Sequence, residues 1–215
     1  MIYDGTKQGI GFLPKLTILW PMGKMIAPTN FSEIDEAYLR ASVRDLPAGR
    51  CCLDLEGGYA LPGQEKWHFD ESRDTAIQLR VDALRICQDE RPDINFGVYS
   101  VPWRVSEDMV ERERACVPIS AQADDVYITA YPKPDQTNED WEYRLRTKVA
   151  AAHWIHRARP YVLITHDTGK ASISAVEFYR RLKVINSMGL DAVYWISAKA
   201  ESIPKLIQLC LWWMR

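Results

Sequence analysis

YVLITH, residues 161–166, is six residues long and apolar on both of the faces that alternation along a strand would present. Such a run suits a strand of a parallel sheet, covered on its outer side by helices. Working outward, residues 139–157 precede it and place Trp141, Leu145, Val149 and Trp154 at helical spacing among charged residues. Residues 174–188 follow and read as a further helix, leading to AVYWIS at 192–197. The same alternation extends upstream. Strands are expected at 16–20 (LTILW), 51–56 (CCLDLE), 94–101 (INFGVYSV) and 125–131 (DVYITAY), with residues 1–5 as a possible seventh. Helices are expected at 31–46, 72–90, 106–115 and 200–213, with Ser32 followed by Asp35 and Ser106 followed by Met109 as starts.

Successive strands begin about 30 to 43 residues apart, the cadence of βαβ units. The fold class expected is α/β, a TIM-like (β/α) barrel over residues 1–215 as one domain. A full eight-unit barrel takes about 250 residues, so a shortened or irregular barrel of six to eight strands is expected. An open doubly wound sheet is the second choice. No GxGxxG or GxxxxGK[ST] follows the early strands to favour nucleotide binding there.

The composition, 47% hydrophobic and 26% charged with a net charge of −2, is that of a globular chain with one sizeable core. It gives no general pull toward nucleic acid or an anionic membrane, and no apolar run approaches the roughly 18 residues of a membrane span. Neither partner is expected. The five cysteines show no CxxC spacing, so buried thiols in a reducing compartment are expected, and neither a metal nor a cofactor. MIYDGTKQG lacks the charged start and apolar run of a secretory signal, which reads as cytoplasmic.

The chemistry is expected around CCLDLE. Period-two geometry turns Asp54 and Glu56 to one side with Cys52 below them, and Leu53 and Leu55 to the helix side. Two shielded carboxylates cannot both ionise freely, so one apparent pKa should rise, as an enzyme needs to keep a carboxylic acid protonated near neutrality. The long segment 57–70 (GGYALPGQEKWHFD) follows directly, at the strand end where barrel sites are built. Other strand ends supply candidate substrate contacts: Tyr99, Trp103, Tyr127, Tyr131, Trp195 and His166. His166 and Asp167 are adjacent, so a continuing strand would turn them to opposite faces. Asp167 reads as a cap or loop anchor. His153 and His156 lie on a helix without an i,i+4 metal pair.

The order of these motifs resembles barrel-type glycoside hydrolases, and in layout most closely the hyaluronidase-like family. LTILWPMG matches its early strand ending in Trp, LDLEGG its acid-x-acid strand, ERPDINFGVYSVP its Arg-Pro and Gly-x-Tyr-x-x-Pro strand, DDVYITAYP its tyrosine strand, and GLDAVYWIS its late strand ending in Trp. Leu55 stands where that family has an aromatic between the acids. The resemblance implies that Glu56 is the general acid. It implies that Asp54 orients a 2-acetamido group whose carbonyl oxygen attacks the anomeric carbon, a substrate-assisted route. Tyr99, Tyr127 or Tyr131, and Trp195 would line the acetamido subsite. A lysozyme-type muramidase barrel with an Asp-x-Glu strand is similar too. The function implied is cleavage of a polysaccharide. The alternatives are an inactive carbohydrate-binding barrel and a barrel lyase or isomerase, whose phosphate would sit near residues 166–170.

Overall fold

The computed structural model describes residues 2–4, 17–19, 34–54, 73–99, 110–166, 168 and 171–194. Among the described residues seven parallel strands form one sheet: β1 (Ile2–Asp4), β2 (Thr17–Leu19), β3 (Gly49–Leu53), β4 (Ile94–Tyr99), β5 (Asp125–Thr129), β6 (Arg159–Ile164) and β7 (Asp191–Tyr194). Their order is β1-β7-β6-β5-β4-β3-β2. From β3 to β7 each strand lies beside its predecessor, and the first strand lies beside the last. A doubly wound sheet would reverse direction at a switch point. This one keeps turning, so the fold is an irregular (β/α) barrel and the open-sheet alternative is set aside. All seven expected strands are present, with β3 and β6 beginning two residues before their expected starts at 51 and 161.

Six helices are described: α1 (Glu36–Arg44), α2 (Arg73–Glu90), α3 (Val110–Ala115), α4 (Val117–Gln122), α5 (Asn138–Ala151) and α6 (Ala175–Ser187). The segment expected as one helix over 139–157 changes type on the way. After Ala151 the chain makes a π-helical turn, Ala152–His156, and stops at Arg157, whose φ is 53°. The helix expected at 106–115 is described from Val110 as α3, and α4, for which no helix was expected, follows with Pro118 in its first turn, where a missing N–H costs nothing. Asp35 caps α1 by accepting from the Tyr38 N–H at 2.9 Å. The expected starts at Ser32 and Ser106 and the helix at 200–213 lie outside the described residues.

Alternation along the strands separates two cores. Cys51 and Leu53 of β3, Phe96 and Val98 of β4, Val126 and Ile128 of β5, and Val162 and Ile164 of β6 turn outward into the larger one. There they meet Leu39, Leu84, Trp141, Leu145, Phe178 and Ile185 of the helices. Phe178 and Ile185, 1% exposed on α6, contribute roughly 1.5–3 kcal/mol each by leaving water. Trp141 secures α5 to the sheet by donating its indole N–H to the Ala130 carbonyl at 2.8 Å, while Arg181 of α6 lies 4.8 Å over its ring. Cys52, Tyr99, Tyr127, Tyr161, Leu163 and Val193 turn inward and form the smaller core, with Tyr131 packed on it.

Helix α6 opens with a capping box. The Glu177 N–H donates to Ser174 Oγ at 3.2 Å, and the Ser174 N–H donates to Glu177 Oε2 at 3.0 Å. The backbone and hydroxyl of Ser174 hold the Glu177 carboxyl below its usual value of 4.5. A depressed carboxyl stabilises the fold above its unfolded pKa and ceases to as pH falls through its folded one. Ser174→Ala is expected to cost about 1 kcal/mol at pH 7 in urea denaturation, and less near pH 3. Equal losses at both pH values would show that the carboxylate takes no part.

Candidate functional site

Asp54 follows β3 directly and is 1% exposed. Burial this deep would be costly for an acid without polar company. The company comes from neighbouring strands. Leu53 pairs with Val98, so the next step of that register sets Asp54 beside Tyr99, the last residue of β4. Tyr99 pairs with Tyr127, and Tyr127 with Tyr161, so three tyrosines on three adjacent strands form one inward row.

Tyr131 lies just past the end of β5. Its hydroxyl is pushed well above the usual tyrosine value, first by burial and then by Tyr99, Cys52 and Asp54 around it. The Cys52 thiol is likewise pushed well up, by burial and then by the charge of Asp54. Asp54, Tyr99, Tyr131 and Cys52 are therefore one electrostatic cluster at the C-terminal end of the strands. Cys52 lies inside and Leu53 outside, as period-two alternation from CCLDLE requires.

Tyr127 is deeper. It is fully buried and stacked on Tyr161, with ring centroids 5.4 Å apart and planes at 29°. Its buried hydroxyl has no hydrogen-bond partner, and burial raises its pKa well above the usual value. Gly97 makes the position possible. A Cβ there would strike Cε2 of Tyr127 and come within 2.8 Å of the Asp125 carbonyl oxygen. Below this layer Arg50 forms an ion pair with Asp125. The Arg50 and Arg159 guanidinium groups lie 5.0 and 5.2 Å from the Tyr161 ring centre. Cation–π contact of this kind closes the N-terminal end of the interior around Tyr161.

His166 is set apart from the tyrosine row. Its Nδ1 is 2.6 Å from the Tyr194 hydroxyl, and its ring packs edge-on against Phe178 of α6. Tyr194 and Phe178 belong to the outer core, so His166 faces the helix layer. Glu56, Trp103, Trp195, Asp167 and the segment 57–70 lie outside the described residues. Among the described residues no group of three or more His, Cys, Asp or Glu side chains could hold a metal ion, and no helix is long and apolar enough to cross a membrane.

A buried polar chain went unread in the sequence. Ser120 Oγ lies 2.8 Å from His156 Nδ1, and His156 Nε2 lies 3.1 Å from Glu113 Oε2. The three come from α4, the π-helical turn and α3, and no local spacing joins residues 36 and 43 positions apart.

No family model matches the chain, and no curated protein matches it. Solved structures do. Bee venom hyaluronidase superposes with a TM-score of 0.70 at 13% identity, covering 99% of this chain and 95% of that one. Its complex with a hyaluronic acid tetramer gives 0.69 at 12% identity, covering 93% and 83%. The PgaB (BpsB) glycoside hydrolase domain from Bordetella bronchiseptica gives 0.52 at 14%, covering 92% and 74%. The chain shares their barrel fold. The barrel layout expected from the strand cadence is thus found again in three dimensions. In such a barrel the C-terminal strand ends carry the site, and that is the end at which Asp54, Tyr99 and Tyr131 gather.

Proposed function

We propose that this chain is a glycoside hydrolase that cleaves a polysaccharide, with Glu56 as general acid and Asp54 as its assisting carboxylate. The observation that carries the reading is Asp54 itself, an acid 1% exposed at a barrel strand end, ringed by Tyr99 and Tyr131. Structural economy would place an apolar residue there. The barrel shared with a hyaluronidase and a glycoside hydrolase domain supports the same choice.

In this mechanism Glu56, two residues beyond Asp54, gives its proton to the glycosidic oxygen as the bond to the anomeric carbon breaks. Asp54 holds the N–H of a 2-acetamido group, so that the acetamido carbonyl oxygen attacks the anomeric carbon from the other face. Glu56, now a carboxylate, takes a proton from the water that opens the resulting ring. Tyr99 and Tyr131 offer phenol hydroxyls to the acetamido group and its flanking oxygens, and Trp103 and Trp195 follow strands that end at the same rim. Tyr127 supports that layer from beneath.

Product release from a panel of polysaccharides and chromogenic glycosides tests the assignment. Wild type is expected to cleave at least one substrate containing an N-acetylated amino sugar, and Glu56→Gln to lose at least about a hundredfold in kcat/KM. Sugar binding without turnover by wild type would favour the inactive carbohydrate-binding barrel. Equal activity of both proteins would remove the general-acid role from Glu56.

A further inference from the structure

At the N-terminal ends of β5 and β6, opposite to the end that carries Asp54, a cavity of about 640 Å3 opens between α3, α4 and the π-helical turn. Arg114, Arg157 and Arg159 line it, and so does Trp154, whose side is turned to water at 83% exposure. Its inner wall is formed by Ser120 and His156. These are 3% and 4% exposed, and Glu113 behind them is 5% exposed. The bonded series Ser120–His156–Glu113 ties three helical segments together and so holds the wall rigid. The Ser120 hydroxyl is held between His156 and the Val117 carbonyl, at 2.8 and 3.0 Å, which suits a wall rather than a nucleophile.

Three features single out this cavity. An indole exposed in a surface hollow forgoes its burial. A π-helical turn closes α5, and such turns are frequent at functional sites. Arg157 occupies the left-handed region at φ 53°, which Asn or Gly would fill with less strain. The charge is also one-sided. The one lining acid, Asp124, is already engaged by the Phe96 N–H at 2.8 Å and the Gln88 amide at 3.3 Å. Arg159, 5.2 Å over the Tyr161 ring and 3.5 Å from Asp191, still leaves 62% of its side chain exposed.

We propose that this cavity binds a small oxyanion carried on a flat ring, the ring lying against Trp154 and the anion among Arg114, Arg157 and Arg159. Guanidinium groups match the paired oxygens of phosphate and carboxylate alike, and an indole face covers a ring. The site is independent of the sugar-cleaving role given to the other end of the barrel.

Calorimetric titration of the full chain with phenyl phosphate, benzoate and phenol tests this. Saturable binding of phenyl phosphate or benzoate is expected, with phenol at least about tenfold weaker. The ratio of the two anions tells a phosphate site from a carboxylate site. Trp154→Ala and Arg157→Asn should each weaken the tighter anion by about tenfold, and Asn accepts the left-handed backbone at 157. Both side chains are exposed, and circular dichroism verifies that the variants fold; should one fail, the other carries the test. Asp54→Asn should leave the affinity unchanged. No saturable binding of either anion to wild type, phenol binding as tightly as the anions, or affinity indifferent to both cavity substitutions would overturn the proposal. So would a change of anion affinity in Asp54→Asn that neither cavity substitution produces, which would place the anion in the barrel mouth.

Discussion

Arg50→Met is expected to lower the unfolding free energy by about 3–4 kcal/mol at pH 7, because it strands a buried carboxylate. The Asp125 side chain is 3% exposed and Arg50 is its ion-pair partner. Burial pulls the Arg50 pKa down, but the charge and hydrogen bond of Asp125 outweigh it and leave the guanidinium more firmly protonated than usual. For Asp125 the balance falls the other way. Burial pushes its carboxyl above the ordinary 3.8, and Arg50 offsets only part of that. The carboxylate is thus the vulnerable member of the pair. A carboxyl raised in the folded state favours folding while protonated, and stability falls as pH rises from about 3.8 through the folded pKa. Removing Arg50 raises that pKa further and widens the window. The gap between wild type and variant should therefore narrow toward pH 4, and Arg50→Met with Asp125→Asn should recover most of the loss. Urea denaturation at pH 7 and pH 4.5 measures both. A gap under about 1 kcal/mol at pH 7, or one independent of pH, would mean that the Asp125 carboxylate finds its stabilisation elsewhere.

Gly97→Ala is expected to cost about 3 kcal/mol and to lower Tm by roughly 6–12 °C. In an ordinary strand the same change would favour folding by about 0.5–1 kcal/mol, since glycine gives up more freedom. Here the new Cβ would meet the Tyr127 ring, the Asp125 carbonyl oxygen at 2.8 Å and the Asp125 Cβ at 2.9 Å. Two of these three cannot move without shifting the paired strand β5. Tyr127 would have to leave its stack on Tyr161 and lift the layer beneath Asp54. A fall in the proposed hydrolase activity should accompany the loss of stability. Gly189→Ala provides the contrast, for nothing lies within 4 Å of a Cβ there and only its φ of 71° resists. Its cost should be about 1–2 kcal/mol with activity kept. A neutral Gly97→Ala would show that β4 and β5 can part, and would take the tight Tyr127 packing out of the account.

How far the sequence reaches depends on whether a feature is local. Alternation within CCLDLE sufficed to turn Cys52 inward and Leu53 outward, because side-chain direction in a strand repeats every two residues. The same rule sets Thr165 and His166 on opposite faces, and His166 is found with Tyr194 and Phe178 in the helix layer. Sequence had both Tyr127 and Tyr131 on one strand face. Only the end of β5 at Thr129 separates them, leaving Tyr127 fully buried and Tyr131 beside Asp54.

The six strand runs and the placing of Cys52 and Leu53 on opposite faces of β3 followed from the sequence by itself, since each rests on a periodicity a few residues long. Tertiary structure alone decided that β1 returns beside β7, that Arg50 meets Asp125 across 75 positions, and that Ser120, His156 and Glu113 line up behind a cavity. The physical reason is the same for all three. Pairing between distant segments is chosen by the closure and packing of the whole sheet, and no short stretch of chain records which partner it will find.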